Sequence, residues 1–217
     1  MRARFDEQLE QLNDMLIEMG SLCGEAIEYA SKAINEDDEN MRKMTYEADN
    51  VIDDMEREIE SLCLKLLLQQ QPVARDLRLI SSALKMISDM ERIGDQAFDI
   101  AELTAYINDA SRGFCREHIN VMTDTAIKMV NDSVTSFVKK DLDMARSVID
   151  MDDISDDMFD KVKMDLINAI SENKDSGEIF IDMLMIAKYL ERICDHAENI
   201  AEWVIFSITG SHVTSDH

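Results

Sequence analysis

Apolar residues recur along this chain in steps of three and four, the spacing that lines one face of an α-helix. Phe5, Leu9, Leu12, Leu16, Met19, Cys23, Ala26 and Ala30 mark a long first helix, interrupted at Asn35-Glu36-Asp37-Asp38. A second runs from about Glu39 to Gln70 and ends before Pro72, because proline cannot continue a helix but suits the first turn of another. The third extends from about Val73 to Asn108, with Ala83, Ile87, Met90, Gly94, Ala97 and Ala101 on its apolar side. After Asp109-Ala110-Ser111-Arg112-Gly113 the pattern begins again. Ile119, Met122, Ala126, Met129, Val130, Ser133 and Phe137 predict a fourth helix, and Lys139-Lys140-Asp141 a junction. A fifth helix reaches about Glu172, Asn173-Lys174-Asp175-Ser176-Gly177 is a turn, and a sixth runs from about Glu178 to Thr209, where Gly210 stops it.

Strand-like alternation is scarce, and one proline with six glycines leaves little material for turns. The expected fold is all-α: two tandem, pseudo-symmetric three-helix bundles, residues 1–109 and 110–210, followed by a frayed tail at 211–217. The duplication is legible directly. Glu91-Arg92-Ile93-Gly94-Asp95-Gln96-Ala97-Phe98-Asp99-Ile100-Ala101-Glu102 returns as Glu191-Arg192-Ile193-Cys194-Asp195-His196-Ala197-Glu198-Asn199-Ile200-Ala201-Glu202, identical at eight of twelve positions with a constant offset of 100. A shared helical period explains the matching Ile and Ala. It does not explain matching Glu, Arg and Asp.

Charge narrows the function. At a formal -24, the chain is repelled by nucleic-acid phosphates and by anionic membrane surfaces, so basic protein surfaces and cations are the natural partners. Cys23, Cys63, Cys115 and Cys194 are scattered with no CxxC pair, which argues against structural zinc and for free thiols in a reducing compartment. No apolar run is long enough to span a bilayer and the amino end leads straight into an amphipathic pattern, so a cytoplasmic protein is expected. P-loop, GxSxG and HExxH motifs are absent, no phosphate cradle is evident, and the sixteen methionines sit mostly at core spacing.

Residues four apart on a helix differ by about 40° in direction, so Glu91, Asp95, Asp99 and Glu102 share one edge of the third helix, beside its apolar half. Glu191, Asp195, Asn199 and Glu202 hold the equivalent edge of the sixth, while Lys85, Arg92 and Gln96 fall deeper in the polar half. If helices two and three form a hairpin turning at Gln71-Pro72, Asp53 comes level with Glu91 and Asp49 with Asp95. In the second half, Asp156 and Asp152 come level with Glu191 and Asp195. Each hairpin then gathers at least four carboxylates, a repulsion that a raised pKa, a basic side chain or a bound cation must offset. Oxygen donors with few histidines suit Fe, Mn, Mg, Ca or Zn. Neither copy has the Glu-x-x-His of a diiron carboxylate site, since Glu91 is followed by Gly94 and Glu191 by Cys194. His196 points about 100° from the stripe, as a surface or interface residue would, and Trp203 belongs to core or interface.

These residues also carry a family resemblance. Gln71-Pro72-Val73-Ala74-Arg75-Asp76-Leu77-Arg78 followed by Met90-Glu91-Arg92-Ile93-Gly94-Asp95 resembles the central signature of PhoU proteins. The stretch from Tyr189 to Glu202 resembles its repeat, and Phe206-Ser207-Ile208-Thr209-Gly210 the family's end. The resemblance implies tandem three-helix bundles, a homodimeric regulator rather than an enzyme, and action through the phosphate ABC transporter ATPase and a membrane sensor histidine kinase. It implies restraint of phosphate uptake and of the phosphate-starvation response when phosphate is plentiful. It further implies multinuclear iron or zinc, with candidate ligands Glu91, Asp95 and Asp99, then Glu191 and Asp195. Asn199, Cys194 and Gln96 depart from strict repetition. The competing expectation is a metal-storage protein or metalloenzyme using the same carboxylates.

Overall fold

The computed structural model describes residues 2–36, 38–70, 73–107, 114–172 and 177–213, and among them it holds six helices and no strand. They are α1 (Arg2–Glu36), α2 (Glu39–Gln70), α3 (Ala74–Thr104), α4 (Arg116–Lys139), α5 (Leu142–Glu172) and α6 (Gly177–Thr209). The expected turn at Gln71-Pro72, the interruption at 109–113, residues 173–176 of the turn expected at 173–177 and the end of the tail at 214–217 lie outside the described residues, while Gly177 opens α6 instead of closing that turn.

Local chemistry sets several boundaries. The Asp38 carboxylate accepts the Asn40 N–H at 2.8 Å at the start of α2, and Asp141 accepts the Met144 N–H at 3.0 Å at the start of α5. Short acidic side chains thereby satisfy N–H groups that a first helical turn leaves without partners. α4 ends on Lys140 in the left-handed region, φ 55° and ψ 43°, with its N–H returned to the Phe137 carbonyl. α6 ends at Gly210, φ 78°, the conformation that glycine adopts most cheaply.

Within each half the three helices pack on one another: α1, α2 and α3 in the first, α4, α5 and α6 in the second. The halves meet through α3 against α6 and through α1 against α4. α2 and α5 therefore lie on opposite flanks. One buried cluster runs through both halves, from Leu12, Leu16 and Met19 through Ile59, Ile80 and Met90 to Met129, Ile186 and Ile200. Each fully buried side chain of this size contributes about 1.5–3 kcal/mol. α1 and α4 approach closely at Gly20, where an added β-carbon would stand 2.9 Å from Val134 Cγ2.

Polar groups sit in the α3–α6 interface. His196 Nδ1 lies 3.0 Å from Asp89 Oδ1, with side chains 19% and 18% exposed, and the Lys85 ammonium lies 6.0 Å from the Trp203 ring centre. His196 and Trp203 thus occupy the interface positions expected of them. Gln96 does not stand in the polar half as the single-helix wheel predicts. It is only 4% exposed, because a single-helix wheel takes no account of the helices that pack around α3.

Candidate functional site

Two acidic seams run along the flanks, one between α2 and α3 and the other between α5 and α6. In the first, burial pushes the Asp49 carboxyl up to about 6, helped by the charges of Asp53, Asp95 and Asp99. Asp49 Oδ1 is covered and has no hydrogen-bond partner. Gly94 creates the room for this approach, since a β-carbon there would lie 2.8 Å from that oxygen. Burial also raises Glu91, with Asp95, Glu56 and Asp53 adding to the rise and Arg92 opposing it. Asp99 is raised by burial and by Asp95 and Glu102, while a hydrogen bond from Tyr189 and the charge of Arg192 across the α3–α6 interface pull the other way.

The second seam repeats the arrangement. Burial pushes the Asp152 carboxyl up to about 7, with the charges of Glu198, Asp195, Asp156 and Glu191 adding to it, and Asp152 Oδ1 again has no partner. Asp195 is raised by burial first, then by Glu191 and Asp156, and lowered by Lys188 and His196. Charge coupling thus links Asp49 with Asp53 and Asp95, and Glu91 with Asp53 and Asp95, in the first hairpin, and Asp152 and Asp195 with Asp156 and Glu191 in the second.

Basic side chains offset part of the repulsion. Arg92 reaches Asp95 at 2.8 Å and Glu91 at 3.4 Å, Arg57 reaches Asp53 at 3.4 Å, and Lys188 pairs with Glu191. None of these is recorded on Asp49 Oδ1 or Asp152 Oδ1. These two orphaned oxygens, in an all-oxygen donor set, are what a hard or borderline cation would satisfy. Among the described residues, no three His, Cys, Asp or Glu side chains are already gathered into a coordination sphere.

Two positions differ from the sequence pattern. Asn199 is exposed, and the charge of Glu198, its neighbour in sequence, adds to the rise at Asp152. A one-residue step rotates about 100° around the helix axis, so where α5 sits on α6 decides which of the two neighbours faces the seam. Glu56, acting on Glu91, was also missed; it lies one turn beyond Asp53 on α2. The copies are unequal as well: Phe98, the counterpart of Glu198, packs on Tyr46 with ring centres 4.6 Å apart. Cys194 replaces Gly94 and is buried, its thiol pushed up to about 12 by burial, a poor thiolate ligand in this state.

The PhoU domain family matches the chain twice, over residues 16–104 and 119–204. The chain belongs to the PhoU family. Its relatives include the phosphate-specific transport system accessory protein PhoU homolog of Clostridium acetobutylicum, 36% identical over 98% of this chain and 97% of that protein. The protein of the same description from Aquifex aeolicus is 34% identical over 97% and 96%. The crystal structure of PhoU from Pseudomonas aeruginosa superimposes with a TM-score of 0.87 at 31% identity, covering 95% of this chain and all of that one. The phosphate transport system regulatory protein PhoU from Streptococcus pneumoniae gives 0.89 at 26% identity, covering 97% and 99%. The duplicated helices of this PhoU-family chain are thus the family's tandem domains. No helix among its described residues is long and apolar enough to cross a membrane.

Proposed function

We propose that this chain is a non-catalytic regulatory adaptor of phosphate uptake, restraining the phosphate ABC transporter ATPase and the sensor histidine kinase when phosphate is plentiful. The observation that carries the docking half of this reading is the pair of acidic seams, each with an orphaned carboxylate oxygen, on opposite flanks of a chain with net charge -24. The names of its relatives supply the system in which it acts.

In this reading Asp49, Asp53, Glu91, Asp95 and Asp99 hold cations in the first seam, and Asp152, Asp156, Glu191, Asp195 and Glu198 in the second. Iron or zinc would suit these donors, as would Mn, Mg or Ca. A bound cation supplies positive charge that relieves the clustered carboxylates and leaves outward oxygens to meet basic partner surfaces. Arg92, Arg57 and Lys188 hold the outer carboxylates in place. Asp49 and Asp152 present their free oxygens inward. The working form in this proposal is a cytoplasmic homodimer that inserts no segment into the membrane and binds no nucleic acid.

Co-precipitation of the chain with the transporter ATPase and with the kinase, with and without added metal, tests the adaptor role. Binding to either partner that weakens on chelation is the expected result, and absence of binding to both sinks it. The orphaned oxygens favour metal storage or metal catalysis as the second reading. Elemental analysis followed by ferroxidase and phosphatase assays separates the two, because turnover lost in E91Q/E191Q would displace the adaptor reading.

A further inference from the structure

A small cleft lies where the start of α3 meets the ends of α4 and α6, away from both acidic seams. Its volume is about 150 Å³, and Arg75, Arg78, Leu79, Phe137, Lys140 and Ser207 line it. Three of these residues are basic, Arg75 and Lys140 exposed and Arg78 half-buried, in a chain with 22 basic and 46 acidic side chains. Among the described residues no carboxylate pairs with any of the three, whereas Lys32, Lys43, Arg57, Arg92, Lys128 and Lys188 all have acidic partners. Arg78 Nε is covered from solvent and has no hydrogen-bond partner. A buried donor without an acceptor is costly, more so on a charged group.

Hydrogen-bond capping of the helix ends does not account for Arg78 Nε. The guanidinium of Arg78 lies over Gly210, where an added β-carbon would stand 3.6 Å from Cζ and Nε, yet its Nε donates to no carbonyl of the α6 terminus. Lys140 occupies the left-handed terminus of α4, φ 55°, where glycine would be less strained. The chain holds a lysine in that conformation, and this lysine lines the cleft. The Ser207 hydroxyl donates to the Val204 carbonyl at 2.7 Å, so it forms wall rather than an inward donor. The cationic set is not repeated in the second half: at the repeat's offset of 100, Arg78 corresponds to Glu178.

We propose that this cleft binds a small tetrahedral oxyanion of the phosphate class, held by Arg75, Arg78 and Lys140 between the two halves of the chain. Guanidinium groups offer paired donors to such oxygens, and the ammonium of Lys140 adds a point charge. The volume is below that of pockets that enclose drug-sized ligands, which start at roughly 300 Å³, and this favours the anion itself or a single phosphoryl group. Arg75 and Arg78 come from the first half, Lys140 and Ser207 from the second, so occupancy ties the halves together at this end. The choice of phosphate as the physiological anion rests on the role proposed above; the oxyanion chemistry of the cleft does not.

Calorimetric titration of the full chain with inorganic phosphate, sulfate and chloride at constant ionic strength tests this, after chelation so that seam-bound metal takes up no anion. Saturable 1:1 binding of phosphate is expected, weakened about 10-fold or more in R78Q, as loss of a charge-assisted hydrogen bond implies. K140G is the second variant. It relieves backbone strain, so its melting temperature should hold or rise while its affinity falls by a similar factor, a combination that a purely structural lysine would not give. Glycerol 3-phosphate that displaces phosphate at like concentrations assigns the cleft to phosphoryl groups on larger molecules, and failure to displace assigns it to the free anion. Sulfate binding equal to phosphate supports the oxyanion site and counts only against phosphate selectivity, while partner binding in the co-precipitation remains a separate result. No saturable binding of phosphate or sulfate, or wild-type affinity in both R78Q and K140G, overturns the proposal.

Discussion

Asp49 and Asp152 each hold a covered oxygen that no donor reaches, on a carboxyl raised to about 6 and about 7 respectively. An acid whose folded pKa exceeds its unfolded value near 3.9 destabilises the fold once ionised. That penalty is full above about pH 7, shrinks as pH falls through the folded pKa, and is gone below about pH 4. Metal-free protein should therefore melt higher at pH 5 than at pH 7.5. D49N and D152N should raise the melting temperature at pH 7.5 by a few degrees and flatten the pH profile, given roughly 2–4 °C per kcal/mol for a chain of this size. Thermal melts across pH in a chelating buffer check this, and unchanged profiles in both variants would remove the buried-carboxylate account. Gly94 makes the complementary case. With a β-carbon 2.8 Å from Asp49 Oδ1, G94A should displace Asp49 and weaken cation uptake in the first seam only. Metal titration of G94A compared with D152N reads out the two seams separately.

At the level of elements, helix pairing turns a periodic stripe into a seam. α2 against α3 and α5 against α6 were legible because each pair forms a hairpin across a short connection, and residues equally far from the turn lie level. The side-chain detail was less legible. Asn199 and Glu198 are neighbours in sequence, and the packing of the helices leaves Asn199 exposed and Glu198 half-buried. The approach of α1 and α4 makes a sharper prediction. G20A places a β-carbon 2.9 Å from Val134 Cγ2, a clash expected to cost about 1–3 kcal/mol, offset in part by about 1 kcal/mol of improved helix propensity. The G20A/V134A pair should therefore be more stable than the sum of the single variants, by roughly 0.5–3 kcal/mol in a double-mutant cycle. Denaturant unfolding measures it, and strict additivity would mean the two helices do not meet there.

Across the whole molecule, one buried cluster spans both halves, and α3 packs on α6 along the contact between them. A chain cut to residues 1–109 leaves the α6-facing side of α3 bare, so the isolated half is expected to self-associate or lose fixed packing. Size-exclusion chromatography and near-UV circular dichroism check this; a monomeric, natively packed half would show that the contact between halves is dispensable. Net charge acts at the same scale. With -24 spread over the chain, added salt should raise the melting temperature of the metal-free protein by screening self-repulsion. Stoichiometric divalent cation should do so at far lower ionic strength, by acting at the seams.

Helical period, the proline and glycine breaks and the offset of 100 between two near-identical segments determined the six helices, their duplication and the two acidic edges. These are local properties, set by which side chains share a face of one helix, and they need no knowledge of the partner. Tertiary structure alone decided that Gln96 is buried, that the charge of Glu198 acts on Asp152, and that Arg75, Arg78 and Lys140 line one cleft. Those positions depend on where separate helices cross. A crossing is fixed by packing across the whole core, which no single helix encodes.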